Sequence, residues 1–266
     1  MIEDDFDFDQ PVTRIPQNAG SKKQLGSQLL KDAEVYLEEI SADEHALLIQ
    51  NLHRLAQQDE YFQVLADELD QPVGAKFAND ALTLMHFWQQ IQQFEDMHSF
   101  NLLDVVNSEN FQNEMLKAFD ELDIEEDVKA QRRSILLDNF KMYKLGFYTG
   151  CIPSLYAQLE GLLTDVLIKT GFLKQNGSKF VDVYKIVPGL KGSEIKSLWH
   201  KSKIATELNP YFAELAPYKM DTSSTVSSTR HNIVHGTEVA HFNQARSFIL
   251  FIWLFSALSF MRSVKA

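Results

Sequence analysis

The residues whose types and spacing could do chemistry fall in one heptapeptide, Arg230-His231-Asn232-Ile233-Val234-His235-Gly236. The planar fork of an arginine clamps a phosphate through paired hydrogen bonds. A histidine moves a proton near neutral pH. Arg230 and His235 stand five positions apart, just before a long apolar segment. A fixed cation and a proton carrier are the minimum equipment for cutting a phosphodiester without a metal. Asn232 could orient the phosphate or cap a backbone amide. The same Arg/His pair would also serve as a hydrogen-bonded corner between two helices.

Other chemistries have less to work with. His231 and His235 stand at i and i+4, and His241 follows, which raises a metal reading. The chain has no His-Glu-x-x-His pattern there, and Glu238 falls on a different segment if Gly236 breaks the helix. No metal and no cofactor are therefore expected at the motif. The stretch Gly189-Leu190-Lys191-Gly192-Ser193 lacks the spacing of a phosphate-binding loop, and no nucleophile elbow supports a serine hydrolase. The single cysteine, Cys151, excludes an intramolecular disulfide and any cysteine-built zinc cluster.

The elements that must position the motif read as helices. Residues 1–20 are an acidic tail. Residues 21–125 are expected to form a separate acidic helical domain, with a capping box at Ser41 and Glu44 and a further amphipathic helix from Asn79 to about Glu95. Residues 126–266 form the second expected domain. It opens on a helix from about Glu126 to Tyr148, which Gly150 and Pro153 should interrupt, and continues in a helix from Pro153 to about Thr170. Thr237 is the expected N-cap of the last helix, with Glu238 in its first turn. No segment alternates long enough to suggest a sheet, so the expected class is all-α.

Charge separates the same two halves. Residues 1–140 hold 29 acidic and 10 basic residues, a net of −19, and residues 141–266 hold 8 and 15, a net of +7. The motif thus lies in the basic half of a chain of net charge −12, as a polyanion-binding unit would. Lys191, Lys196, Lys201 and Lys203 cluster there as candidates for an RNA backbone, with Trp199 and His200 among them as candidates for stacking on an unpaired base. The apolar run from Ser247 to Met261 is 15 residues long, short of the roughly 20 that a bilayer needs. It reads as a core helix, without a membrane partner. The acidic N-terminus has no secretory signal pattern, so the expected location is cytoplasmic.

The basic half resembles the HEPN domain family. Arg230 and His235 match that family's Arg-x4–6-His motif, His231 fills the polar place after the arginine, and Gly236 follows the histidine. The run Tyr143-Lys144-Leu145-Gly146-Phe147-Tyr148 and then Ile152 to Gly161 resembles the long helix pair of bacterial HEPN-like proteins, and Glu160 matches the helix glutamate that faces the active site. The resemblance spans roughly residues 126–266; residues 1–125 resemble no family. It implies an all-α HEPN-like bundle and a metal-independent endoribonuclease acting in bacterial defence or toxin–antitoxin regulation. Arg230 and His235 would be catalytic, with His231, Asn232 and Glu160 supporting. It further implies a homodimer through the C-terminal domain, with RNA as substrate. The N-terminal half would then dock a protein partner or antitoxin. The alternative is a non-catalytic module of the same fold that binds RNA, a nucleotide or a protein.

Overall fold

The structure, a computed structural model, describes residues 40–71, 79–91, 101–187, 194–195, 197–208, 210–213, 215–218, 230, 232–233, 236–237 and 239–262. The described chain is mostly helical. Helix α1, Ala42–Leu55, starts at the expected capping box: Glu44 N donates to Ser41 Oγ at 3.3 Å, and Ser41 N donates to Glu44 Oε2 at 2.9 Å. Two orphan donors of the first turn are thereby satisfied reciprocally. Helices α2, Tyr61–Leu69, and α3, Asn79–Ile91, follow, then a 3-10 turn, Leu102–Asn107, and α4, Glu109–Asp120. The segment expected to be helical upstream of Ile40 lies outside the described residues.

Helix α5, Glu126–Lys144, and helix α6, Tyr148–Lys169, form the long pair of the basic half. Their break is displaced from the expected one. Gly150 and Pro153 sit inside α6, and the stop is at Gly146, whose φ of +77° is one an L side chain rarely adopts. Phe147 N donates to Met142 O at 2.8 Å and Gly146 N to Tyr143 O at 3.1 Å, which closes α5 in a Schellman cap. Pro153 is tolerated because the one bond it forgoes, to the Thr149 carbonyl, lies in an exposed first turn where water can replace it.

A small antiparallel sheet follows, against the expectation of none: β1, Leu173–Asn176, β2, Lys179–Asp182, and β3, Glu194–Ile195, in that order. Strands of four and two residues are too short to show alternation. Helix α7, Leu198–Leu208, and two 3-10 turns, Pro210–Ala213 and Ala216–Tyr218, lead toward the motif.

The last helix, α8, is Gln244–Met261, and its N-cap is Asn243 rather than Thr237: Arg246 N donates to the Asn243 side chain at 2.8 Å. Thr237 instead belongs to the turn that closes the motif. α8 is long and apolar enough to cross a membrane by length and composition, with a mean hydropathy of 1.4, but 89% of it is buried inside the protein's own core.

The packing of α8 crosses the expected division at residue 125. α8 packs against α6 of the basic half and against α3 and α4 of the acidic half, and the buried apolar side chains form one cluster that includes both. Phe251 stacks on Phe140 at 5.2 Å between centroids, and Phe248 stacks on Phe62 at 5.9 Å. Inside the core the Arg246 guanidinium donates to Asp59 Oδ2 at 2.6 Å, both side chains being fully buried, and Thr83 Oγ1 meets Ser256 Oγ at 2.8 Å. A helix apolar on every side must be covered on every side, and the acidic half supplies part of that cover.

Candidate functional site

The site is built on α6. Glu160 stands between two cations: Lys201 Nζ, from α7, donates to its Oε1 at 3.0 Å, and Arg230 Nη2 donates to its Oε2. The Lys201 side chain is 8% exposed, that of Glu160 26% and that of Arg230 29%. Among the described residues, two cations against one carboxylate leave this half-buried cluster with one positive charge in excess. Such a centre attracts an anion, because a charge removed from water gains most from a partner.

Lys201, a candidate from the sequence for contact with an RNA backbone, is drawn inward. It is buried, ion-paired, and placed 4.9 Å from the centre of the Phe180 ring. The hairpin of β1 and β2 brings Phe180 there. Lys203 is exposed, with its Nζ over the Trp199 ring at 5.0 Å. Lys191 and Lys196 lie outside the described residues.

A second ion pair braces the same helix. Arg132, from α5, donates through Nε to Asp165 Oδ2 and through Nη1 to Gln158 Oε1 at 3.1 Å. Its guanidinium can lie this close because position 161 is glycine: a Cβ there would stand 2.4 Å from Arg132 Nη1. Glu160, Lys201, Arg132 and Asp165 together line a cavity of about 330 Å³, with Phe180 and Ile168 on its apolar side.

Arg230 lines a different cavity, of about 210 Å³, whose walls include four aromatic side chains, Tyr156, Trp199, Tyr218 and Trp253. The Arg230 Nε–H is buried and has no hydrogen-bond partner among the described residues. Burial pushes the Tyr156 hydroxyl above the usual tyrosine range, and burial followed by the nearby Glu160 carboxylate does the same to Tyr218. Both phenols are therefore neutral at physiological pH. Tyr218 donates to Leu159 O at 3.1 Å, which fixes the turn Ala216–Tyr218 against α6.

Of the motif, Arg230, Asn232, Ile233 and Gly236 are described. Ile233 is buried and Asn232 is exposed. Gly236 N donates to Ile233 O at 3.1 Å and Thr237 N to Asn232 O at 2.8 Å, the bonding of a helix C-terminus capped by glycine. His231 and His235 lie outside the described residues. His241 is half-buried. Among the described residues no three His, Cys, Asp or Glu side chains are grouped to hold a metal ion.

The structure thus brings Glu160 to Arg230 and adds Lys201. The sequence reading missed the aromatic wall and the Arg132–Asp165 brace. Tyr156 and Glu160 are i and i+4 on one helix, a spacing that places them on one face. Arg132 and Asp165 are 33 residues apart on two helices, and no local pattern reports such a pair. No protein-family model, no curated protein and no solved structure matches the chain.

Proposed function

We propose that the protein is a metal-independent endoribonuclease of HEPN type, with Arg230 and His235 as the catalytic pair. The observation that carries this reading is the brace of Glu160 on Arg230, which, with Lys201, leaves one positive charge in excess among the described residues beside a cavity. RNA brings its own nucleophile, the 2′-OH. The site must take that proton, stabilise a phosphorane that gains negative charge, and return a proton to the leaving 5′-oxygen. His235 suits the proton transfers, a contribution of roughly 10²–10⁴-fold per group. Arg230, already oriented by Glu160, suits the developing charge, and a fixed donor needs no reorganisation as that charge appears. His231 and Asn232, between the two in the sequence, are the supporting residues.

One imidazole cannot act as acid and base at the same instant. A homodimer that joins two motifs supplies both, and this is the physical reason for the expected dimer. The acidic N-terminal half would screen the basic site or dock a protein partner such as an antitoxin, as in defence or toxin–antitoxin systems.

The second reading, binding of RNA or a nucleotide without cleavage, draws on the aromatic cavity, which needs no catalyst to explain it. Incubation of the protein with unstructured RNA in EDTA separates the two. The ribonuclease reading expects products ending in 2′,3′-cyclic phosphates. Retained RNA binding with no products across substrates would replace it with the binding module.

A further inference from the structure

We propose that the 210 Å³ cavity beside Arg230 receives one unstacked nucleobase of the RNA, whose adjoining phosphate then meets the Arg230–Glu160–Lys201 cluster. This rests on reading the site as one that handles RNA, and it specifies what the substrate presents: a single-stranded base next to the phosphate engaged.

Three features converge. The walls are aromatic, with Trp199, Tyr156, Tyr218 and Trp253 gathered from α6, α7, α8 and the turn Ala216–Tyr218. Every base has a π-face, so such walls favour planar rings of any sequence, and they are reached only by a base outside a duplex. The size fits one ring system: about 210 Å³ falls below the roughly 300–1,000 Å³ of pockets that hold drug-sized ligands.

The third feature is polar. A buried donor without a partner is costly in a finished core. The Arg230 Nε–H, unpartnered among the described residues, stands in the wall of this cavity, where a base carbonyl or ring nitrogen can accept from it. The same guanidinium holds Glu160 through Nη2, so one residue joins the wall of this cavity to the charged cluster. The sugar and phosphate need no room in this cavity, because of that cluster only Arg230 lines it, while Glu160 and Lys201 line the neighbouring cavity.

The test uses the full chain and its own fluorescence. Two of the three tryptophans, Trp199 and Trp253, line the cavity. Titration with each of the four ribonucleoside 3′-monophosphates is expected to quench part of the emission saturably, and an unstructured RNA oligonucleotide is expected to displace the bound nucleotide. Trp199→Ala should weaken nucleotide binding about tenfold or more, the loss that removing a stacking partner from a base causes, while Trp199→Phe keeps most of it. Binding is read without cleavage, so an inactive nuclease that binds the nucleotides leaves the cavity assignment standing. An active nuclease whose tryptophans ignore all four nucleotides overturns it. Nucleotide binding that RNA fails to displace also overturns it, and assigns the cavity to a free nucleotide.

Discussion

Glu160 is the residue on which the cluster turns, and its two partners differ in what they would lose. Lys201 is buried, so removing Glu160 strands an ammonium away from water. Breaking a buried pair this way costs about 3–5 kcal/mol, and the partial exposure of Glu160 places the expected cost of Glu160→Gln at the low end of that range. Arg230→Gln leaves Glu160 its bond to Lys201, so its expected cost is under about 1 kcal/mol. Urea denaturation of the two variants measures the difference, and equal costs would contradict the bracing role.

Cys151 makes a second prediction at this scale. Burial pushes its thiol up to about 12 from an ordinary value near 9, with a hydrogen bond involving Ser247 acting weakly the other way. A raised folded value means that the stability contributed is whole below pH 9 and is lost as pH rises toward 12. Four buried tyrosines, Tyr61, Tyr143, Tyr156 and Tyr218, are also raised, from 10, and add their own loss at higher pH. From pH 9 to 10 the loss due to the thiol runs beside the onset of the loss due to the tyrosines, and Cys151→Ala removes the share of the thiol alone. Cys151→Ala should flatten the fall of stability across that interval in denaturation series. An unchanged slope would mean that the thiol is not buried as described.

At the scale of elements, α6 positions the site and α5 braces it. Gly161→Ala sets two effects of opposite sign against each other. Alanine gains about 1 kcal/mol of helix propensity over glycine. Its Cβ would displace the Arg132 guanidinium from Asp165 and Gln158, and charged hydrogen bonds are worth about 1.5–3 kcal/mol. The expected net is a loss of roughly 1 kcal/mol, which becomes a gain when Arg132 is already alanine. A double-mutant cycle reads the change of sign, and destabilisation in both backgrounds would contradict it.

The elements were legible where their signals are local. The capping box at Ser41, the amphipathic faces of α1 to α4 and the presence of two long helices, α5 and α6, all follow from spacing along the chain. The stop at Gly146 was missed because Pro153 is the stronger breaker by composition, and only the exposed first turn of α6 makes it harmless. The sheet was missed because strands of four and two residues are too short to show a sustained alternation.

At the scale of the molecule, the charge division is real along the chain but is no division of the core. Asp59 and Arg246 are 187 residues apart and fully buried together, a contact no sequence pattern reports. A fragment of residues 126–266 would leave Arg246 without its carboxylate and one side of α8 bare. It is expected to aggregate or bind a hydrophobic dye, and to recover its fold on co-expression with residues 1–125. A fragment that folds alone with the cooperativity of the full chain would restore the two-domain reading. Glu160 and Arg230, both singled out in the sequence, meet in the structure, whereas the aromatic cavity was not legible, because its walls come from four separate elements.

The central claim is that Arg230 and His235 cut RNA through its own 2′-OH. It is tested most directly by single-turnover cleavage of an RNA oligonucleotide in EDTA, run beside the same oligonucleotide with one 2′-deoxy residue at the cut position. The account predicts cleavage of the first and none at the substituted position of the second, with Arg230→Ala and His235→Ala each abolishing cleavage while retaining the circular dichroism of the parent. Cleavage that persists at the deoxy position, or full activity in either folded variant, would contradict it.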